Sequence, residues 1–219
     1  MKKLLVALLF VTMSFTLFGC GKTNEENVPS DEVVSEENTE EVSEENTENV
    51  SEDSSESVVA SDNGSVTILS DVWNTYAEDE KFAVMGGDFE NMVDGAPGAF
   101  DVTNVENMSG TFQIPADIAG NIDEGASLVH AMNANTFTGA ALHLADVSAM
   151  EAFTTSLKDG IMGTQWMCGF PDTLVIFTVN NEYVVYAYGN AEVIDNFKNK
   201  VTEVYGENAV LVAEESLAG

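Results

Sequence analysis

The sequence predicts an α+β domain over residues 65–219, with a ferredoxin-like split β-α-β-β-α-β core over about 136–213. Two amphipathic helical patterns alternate there with apolar runs that have the length of strands. A polar turn, Asn180-Asn181-Glu182, joins two of those runs as a hairpin. The order of these patterns predicts an antiparallel four-stranded sheet with two helices on one face.

The chain begins with a secretory signal pattern. Two lysines precede an apolar run over residues 4–18, which is shorter than the ~20 residues of a membrane span. The sequence Leu17-Phe18-Gly19-Cys20 resembles a bacterial lipobox, which implies a diacylglyceryl group on Cys20 and cleavage before it. We expect residues 1–19 to be a lipoprotein signal peptide that leaves the protein anchored to the cell membrane on its extracytoplasmic face. An ordinary secretory signal with an incidental cysteine is the alternative.

Residues 20–64 are predicted to be a disordered acidic tether. After Cys20 this segment has 15 acidic residues, eight serines, one lysine and no aromatic residue. Such a composition buries too little apolar surface to offset the entropy of ordering the backbone. Three octads repeat within it, namely SEENTEEV, SEENTENV and SEDSSESV. Low-affinity capture of divalent cations is the alternative role for this segment.

The charge excludes some classes of function. The chain has 38 acidic residues against seven lysines and no arginine, and its net charge is −31. Contacts to nucleic-acid phosphates require clustered cations, so we expect no nucleic-acid partner. The predicted domain, residues 65–219, is itself acidic, with 23 acidic residues and four lysines.

The first half of the domain is predicted to be helical with a long loop. Leu69, Val72, Trp73 and Tyr76 have helical spacing and predict a helix near 65–78. Residues 82–114 are rich in Gly, Asp and Asn and indicate loop and turns. Pro115 is suited to open a short helix, and Asp123 to cap a helix that runs to about Met132.

The second half supplies the predicted core. An amphipathic helix is expected from Val147 to Ile161, capped by Asp146 or Ser148, and a second from Val193 to Val204. The predicted strands are residues 136–145, 174–179, 183–188 and 209–213.

Cys168 is the one thiol that remains if Cys20 is acylated, so neither an intramolecular disulfide nor a CxxC pair is possible. It lies in the segment QWMCGFP, where Trp166 and Phe170 are candidates for the lip of a pocket. A nucleophilic cysteine needs a base or a positive environment, and His130 and His143 are the candidate partners. The two histidines, together with Trp166 and Phe170, are therefore the candidate residues of the pocket. The interpretation that we favour is a buried, inert cysteine packed with Trp166 and Phe170.

The two histidines have apolar neighbours in the sequence. His130 lies in LVHAM on a predicted helix, and His143 lies in ALHLA within a predicted strand. Neither has the HxxxH or HxH spacing of a metal ligand pair. We interpret both as satisfied core or interface histidines, and we predict neither a metal site nor a cofactor.

Two further groups of residues each have two interpretations. The loop acids Asp88, Glu90, Asp94 and Asp101 do not follow the EF-hand spacing, because Met92 stands where a third ligand is expected. They are interpreted as solvated loop acids, with a non-standard calcium site as the alternative. The methionines are interpreted as adaptable core filler or as the lining of a promiscuous apolar groove. They are Met85, Met92, Met108, Met132, Met150, Met162 and Met167.

Four segments carry a family resemblance, namely VWNTYAEDEKF, GGDFENMVDGAPGAFDV, HAMNANTFTGA and QWMCGFPDTLVI. Together they resemble small secreted lipoproteins of Gram-positive anaerobes that carry the label bacteriocin transport accessory protein. The resemblance spans residues 72–212 and implies no catalytic residue. The label also suggests thioredoxin-like proteins, whose active-site CxxC is absent here.

We therefore expect a lipid-anchored cell-surface lipoprotein that acts as a binding or accessory module for a protein or small-molecule ligand. One alternative is a small redox or thiol enzyme that uses Cys168. Another is an accessory protein of peptide (bacteriocin) export.

Overall fold

A computed structural model describes residues 63–167 and 169–217. The described residues form an antiparallel sheet of eight strands with four helices packed on it, so the predicted α+β class is confirmed. The strands are β1 (Val84–Gly86), β2 (Val93–Asp94), β3 (Gly98–Ala99), β4 (Ile122–His130), β5 (Phe137–Leu144), β6 (Thr173–Val179), β7 (Tyr183–Gly189) and β8 (Ala209–Ser216). The helices are α1 (Gly64–Asn74), α2 (Val105–Thr111), α3 (Met150–Met162) and α4 (Ala191–Tyr205). The strand order across the sheet is β2-β1-β4-β5-β7-β6-β8, and β3 also pairs with β4.

Helices cover both faces of the sheet and divide the core in two. One core lies between the sheet and helices α1 and α4, and the other lies between the sheet, α3 and the segment around α2. Along β6, Val175 and Phe177 belong to the first core, whereas Leu174 and Ile176 belong to the second. Because successive side chains of a strand point to opposite faces, a strand covered on both faces is apolar along its length. This explains the runs LVIFTV and YVVYAY.

Most of the predicted elements are confirmed with small changes of boundary. Helices α1, α3 and α4 and strands β5 to β8 lie where the periodicity placed them. Asp146 accepts a hydrogen bond from the Ser148 N–H at 3.0 Å and so caps the one-turn 3₁₀ segment Val147–Ala149 that leads into α3. The predicted short helix after Pro115 is a turn followed by the 3₁₀ segment Ala119–Asn121.

The helix predicted between Asp123 and Met132 is wrong, because this segment is strand β4. The prediction relied on the helical spacing of Leu128 and Met132. In the structure β4 lies between β1 and β3 on one side and β5 on the other, and these ladders satisfy its backbone. Leu128 packs in the core beneath α1, while the Phe100 ring packs directly over Gly125 on the opposite face. The tertiary contacts therefore override a short local pattern.

The ferredoxin-like arrangement is not confirmed. Strands β5, β7 and β6 are neighbours, as in a split βαβ unit, but β8 joins the outer side of β6, and β5 pairs with β4. The expected placement of two helices on one face is wrong, because α3 and α4 contribute to different cores. Both faces of β6 and β7 are apolar, so each face needs its own cover.

Strand β8 forms one edge of the sheet and contains a bulge. The pairing shifts by one residue between Ile176 and Phe177 of β6, which leaves Val212 as the extra residue of β8. The side chains of Val210, Leu211 and Val212 are exposed. The two glutamates near the end of β8 form ion pairs with lysines of the neighbouring helices: Glu214 with Lys198 and Glu215 with Lys158.

The described chain enters the sheet at the end where β4 begins. Asn63 caps α1 by accepting a hydrogen bond from the Val66 N–H at 3.0 Å. The Gly64 N–H donates to Oε2 of Glu124 at 2.9 Å, near the start of β4. The segment that precedes the domain is therefore attached at this end of the sheet, and His130 marks the opposite end of the same strand.

Candidate binding groove

An apolar groove lies at the end of the sheet where β4 finishes. Three segments line it: the loop after β1, the end of α2, and the turn from β4 to β5. Its volume is about 330 Å³. The main apolar side chains of this groove are Met85, Phe89, Met92, Phe112, Val129 and Met132.

Large apolar side chains of the groove are open to solvent. Phe89 is 77% exposed, Met92 is 60% exposed and Met132 is 84% exposed. Exposed apolar groups that gather around one concavity are typical of a binding surface, whereas scattered ones are ordinary. The prediction for the methionines is therefore confirmed in part. Met108 is buried in the core and Met150 packs against it, and Met85, Met92 and Met132 line the groove. Met162 and Met167 are exposed and have neither role.

Asp88 holds the loop that carries Phe89 and Met92. Its side chain is only 7% exposed. Oδ1 accepts hydrogen bonds from the N–H groups of Glu90 at 3.0 Å and Asn91 at 2.8 Å, and Oδ2 accepts one from the Asp101 N–H at 2.8 Å. The interpretation of Asp88 as a solvated loop acid is therefore wrong, and its carboxylate joins the two ends of the loop.

These contacts also set the protonation of Asp88. Burial raises the pKa of the carboxyl, but the hydrogen bonds from Asp101, Asn91 and Glu90 outweigh burial and leave the pKa below its usual value. The charged form is the one that accepts these bonds, so the loop is held by a carboxylate at neutral pH.

Close backbone packing fixes the loop against the sheet. A Cβ on Gly86 would lie 2.2 Å from the backbone nitrogen of Gly98, and Gly87 has a φ of +79°. The buried Ser127 hydroxyl on β4 donates to the Gly87 carbonyl at 2.7 Å. Glycine is required at both positions, because a side chain at Gly86 would collide with β3 and the φ at Gly87 disfavours L-residues.

The floor of the groove is anchored to the centre of the sheet. Phe112 is fully buried and stacks on Phe100 with ring centroids 4.5 Å apart. The Tyr186 hydroxyl on β7 donates to the Phe112 carbonyl at 2.6 Å. Burial raises the pKa of Tyr186 well above its usual value, so the hydroxyl keeps its proton and remains a donor.

His130 shapes the turn that carries Met132. Its Nδ1 accepts hydrogen bonds from the N–H groups of Met132 at 3.1 Å and Asn133 at 3.2 Å, and its ring stacks on Phe82 at 5.4 Å. The residue is half-buried and lies at the end of a strand, not on the predicted helix. Its contacts support the interpretation of a satisfied histidine with a positioning role.

An acidic concavity adjoins the groove. This acidic shelf is lined by Glu90, Asp101 and Glu106, has a volume of about 410 Å³, and shares Asp88, Phe89 and Thr111 with the groove. The Thr103 hydroxyl and N–H hold the pKa of the exposed Asp101 below its usual value, so it is charged at neutral pH. Among the described residues that line the groove and the shelf there is no lysine.

The lysines of the domain are engaged elsewhere. Each of the four forms an ion pair with at least one carboxylate: Lys81, Lys158, Lys198 and Lys200. The negative potential of the shelf is therefore not offset by a nearby lysine.

Trp166 and Phe170 lie on the loop between α3 and β6, at the same end of the sheet as the groove, and neither lines the groove. The amide nitrogen of Asn135 donates to the Gly169 carbonyl at 3.0 Å, which connects this loop to the β4–β5 turn. Trp166 is half-buried against Tyr188, with ring centroids 5.1 Å apart, whereas Phe170 is 66% exposed. Cys168 and Cys20 lie outside the described residues, so the predictions for these thiols are untested.

His143 is distant from this end of the sheet. It pairs with Glu124 near the start of β4, whereas His130 ends that strand six residues later, so roughly 20 Å of strand separates the two. A bulge at Asp123 turns that carboxylate toward His143, and Oδ1 lies 2.5 Å from Nδ1. The structure therefore brings His130, Trp166 and Phe170 to one end of the sheet and leaves His143 at the other. Asp123 is a strand residue and not the predicted helix cap.

Metal ligands do not converge in the part of the chain that the structure describes, where no group of three His, Cys, Asp or Glu side chains is placed to hold an ion. Likewise, none of the helices described within residues 63–217 combines the length and apolar character needed to cross a bilayer.

Searches of protein-family models, curated proteins and solved structures found no match to this chain.

The sequence indicates methionines that line an apolar groove, but it does not indicate where the groove lies or that Phe89 and Phe112 belong to it. Phe89 and Met132 are more than 40 residues apart in the sequence, and they meet only because β1 pairs with β4. The sequence feature that indicates the groove is the presence of Phe and Met in a loop rich in Gly and Asp, because large apolar side chains in such a loop are usually exposed unless they contact a partner or another part of the chain.

Proposed function

We propose that this chain is a lipid-anchored, extracytoplasmic binding module whose ligand site is the apolar groove. The observation that carries the proposal is the exposure of Phe89, Met92 and Met132 around one concavity. Binding sites in proteins are typically concave and apolar, with few polar groups at the rim.

The site combines a rigid frame with adaptable contacts. The Asp88 carboxylate fixes the loop through part-buried hydrogen bonds, and the Tyr186 hydroxyl fixes the floor through a buried one. Methionine side chains are flexible and polarisable, so Met92 and Met132 can adjust to different apolar ligands. A fixed backbone reduces the entropy lost on binding, and flexible thioethers broaden the range of ligands.

The position of the groove suits a surface module. The preceding segment is attached beside Glu124, whereas the groove lies around His130, about 20 Å away along β4. If the preceding residues act as a tether from an acylated Cys20, their point of attachment to the domain is remote from the groove.

Two measurements test the two parts of this proposal. For the anchor, cells that express the full chain are labelled with palmitate; we expect incorporation into the protein, and its loss in Cys20→Ala. For the site, binding of the neutral dye Nile red is followed by fluorescence. We expect Phe89→Ser and Met132→Ser to weaken binding several-fold, since each removes apolar area worth about 1–2 kcal/mol when covered.

The matched control for the site is Val147→Ser, which removes an exposed apolar side chain on the 3₁₀ segment before α3. Equal dye binding by the wild type, Val147→Ser and both groove variants would refute the groove as the ligand site. Unchanged labelling of Cys20→Ala would refute the anchor.

A further inference from the structure

We infer that the ligand of the groove is a cationic amphipathic peptide segment, bound with its apolar face in the groove and its positive face on the acidic shelf. This inference rests on the proposed function and names the chemical class of its partner.

The first support is the continuity of two surfaces of opposite character. The apolar groove and the acidic shelf share Asp88, Phe89 and Thr111, so one ligand can contact both. Phe89 lies at the boundary, and the exposed Glu90 follows it directly in the sequence. An amphipathic helix has the same arrangement, with apolar residues on one face and charged residues on the other.

The second support is charge complementarity. Glu90, Asp101 and Glu106 face the shelf, and no lysine lines either surface within the described chain. All four lysines of residues 65–219 are already paired with carboxylates, and this segment has 23 acidic residues against those four. A peptide with several lysines would be attracted to this field and held by exposed carboxylates that the domain's own lysines do not neutralise.

The same charges disfavour other occupants of the groove. A second copy of this chain would bring an equally acidic surface to the shelf, and like charges oppose that contact. An anionic lipid headgroup or a nucleic acid would be repelled for the same reason. A neutral apolar ligand would fill the groove but leave the shelf unused.

The test measures binding of labelled peptides to the full chain in nanodiscs of neutral phosphatidylcholine, with empty nanodiscs subtracted. The main probe is a helical peptide of about five turns built from Leu and Lys in an amphipathic pattern. In the second probe Gln replaces every Lys. In the third probe Ala replaces every Leu. Its binding measures the purely electrostatic attraction to acidic parts of the chain, which does not require the groove.

We expect the Leu/Lys peptide to bind at least about tenfold more tightly than either other probe, because it alone matches both surfaces. Phe89→Ser and Met132→Ser should each weaken it by roughly tenfold. The double change Glu90→Gln with Glu106→Gln should weaken it roughly fivefold at low salt and less at high salt, as expected for exposed charges. The controls Val147→Ser and Glu192→Gln, both exposed and outside the two surfaces, should bind as the wild type does.

The outcomes separate this inference from the proposed function. Equal binding of the Leu/Gln and Leu/Lys peptides, with loss in the groove variants, would overturn the cationic partner and leave the groove as an apolar site. Equal binding of the Ala/Lys and Leu/Lys peptides, unaffected by Phe89→Ser, would place the attraction outside the groove and overturn the inference. If none of the peptides binds and the groove variants bind Nile red as the wild type does, both the inference and the groove are refuted.

Discussion

The carboxylate of Asp88 should control the stability of the groove. It accepts three backbone N–H groups and the Asn91 side-chain amide, and it is 7% exposed. Hydrogen bonds to a charged group contribute about 1.5–3 kcal/mol each, but N–H groups released in a surface loop regain water. We therefore expect Asp88→Ala to lower the free energy of unfolding by about 2–4 kcal/mol.

Asp88→Asn should lose only part of this stabilisation. With its amide oxygen in the place of Oδ1, asparagine can still accept from Glu90 and Asn91, but its NH₂ group then faces the N–H of Asp101. It keeps the local turn and loses the link across the loop, so we expect about half the cost of the alanine variant.

The contribution of Asp88 should also depend on pH. Its pKa is lower in the folded protein than in the unfolded chain, where it is near 3.9. The stabilisation is therefore complete above pH ~4 and is lost as the pH falls through the folded pKa, because the unfolded state binds the proton first. The stability difference between the wild type and Asp88→Asn should shrink as the pH falls from about 6 to about 3, since a protonated Asp88 resembles asparagine.

Urea unfolding followed by tryptophan fluorescence measures this directly. The Trp73 indole donates to the Gly95 carbonyl of the same loop at 3.3 Å, so its emission reports on the loop as well as on the core. With a denaturant slope of about 2 kcal/mol/M, Asp88→Ala should shift the midpoint by about 1–2 M. Asp146→Asn is the matched control, because Asp146 accepts similar bonds from Ser148 in an exposed position. A wild-type midpoint for Asp88→Asn at pH 7, or a difference that does not change with pH, would refute the reasoning.

Three further predictions concern the sheet and the charge. Tyr186→Phe should lower the free energy of unfolding in urea by about 1–3 kcal/mol, because the buried Phe112 carbonyl loses its donor. Tyr205→Phe loses an exposed hydrogen bond to Asp71 and should lower it less. Equal losses in the two variants would contradict this prediction. Gly125→Ala should destabilise the domain by about 1–3 kcal/mol, because the new Cβ would lie 2.4 Å from the Phe100 ring. Gly110→Ala in helix α2 should stabilise it by about 0.5–1 kcal/mol, because the new Cβ meets nothing within 4 Å. Calorimetry should find Tm shifts of opposite sign for the two variants, and shifts of the same sign would contradict this prediction. Raising NaCl from about 0.05 M to about 0.5 M should raise Tm, because salt screens repulsion within a chain of net charge −31; a Tm that falls would mean that the ion pairs of the lysines outweigh this repulsion.

The elements with long, regular patterns could be predicted from the sequence. Helix α4 shows helical spacing over four turns, and the strands on either side of the Asn180-Asn181 turn are apolar at most positions. Asn180 and Asn181 adopt φ values of 54° and 58°, which asparagine tolerates better than most residues, so the hairpin had a clear local signal.

Other elements depend on contacts that no local pattern contains. The spacing of Leu128, Val129 and Met132 predicts a helix where the structure has strand β4. Gly125 and Ser127 of this strand interrupt the alternation that a half-buried strand would show. Gly125 leaves room for the Phe100 ring, and the Ser127 hydroxyl donates to the Gly87 carbonyl. The contacts that explain both residues are therefore made with residues far away in the sequence. Strands β1 to β3 have only two or three residues each, too few for any periodicity to be recognised.

The candidate site was harder to predict for the same reason. Of the candidate pocket residues, His130, Trp166 and Phe170 lie at one end of the sheet, and of these three His130 alone lines the groove, whereas His143 lies at the other end. The order of strands across the sheet brings these loops together, and that order follows from which edges pair. Nothing in the sequence of β8 distinguishes pairing with β6 from pairing with β5.

The bulge in β8 has a consequence for the behaviour of the protein at high local concentration. An edge strand of eight residues that contains Val210, Leu211 and Val212 would, if flat, be a template on which further chains could add strand by strand. The extra residue at Val212 bends the strand, and a chain approaching from outside can follow it in register for only a few residues before the ladder is broken. The carboxylates of Glu214 and Glu215 lie beyond the bend, so the remaining half of the edge is charged. The edge at β8 is therefore a poor template for the strand-by-strand addition of further copies of this domain.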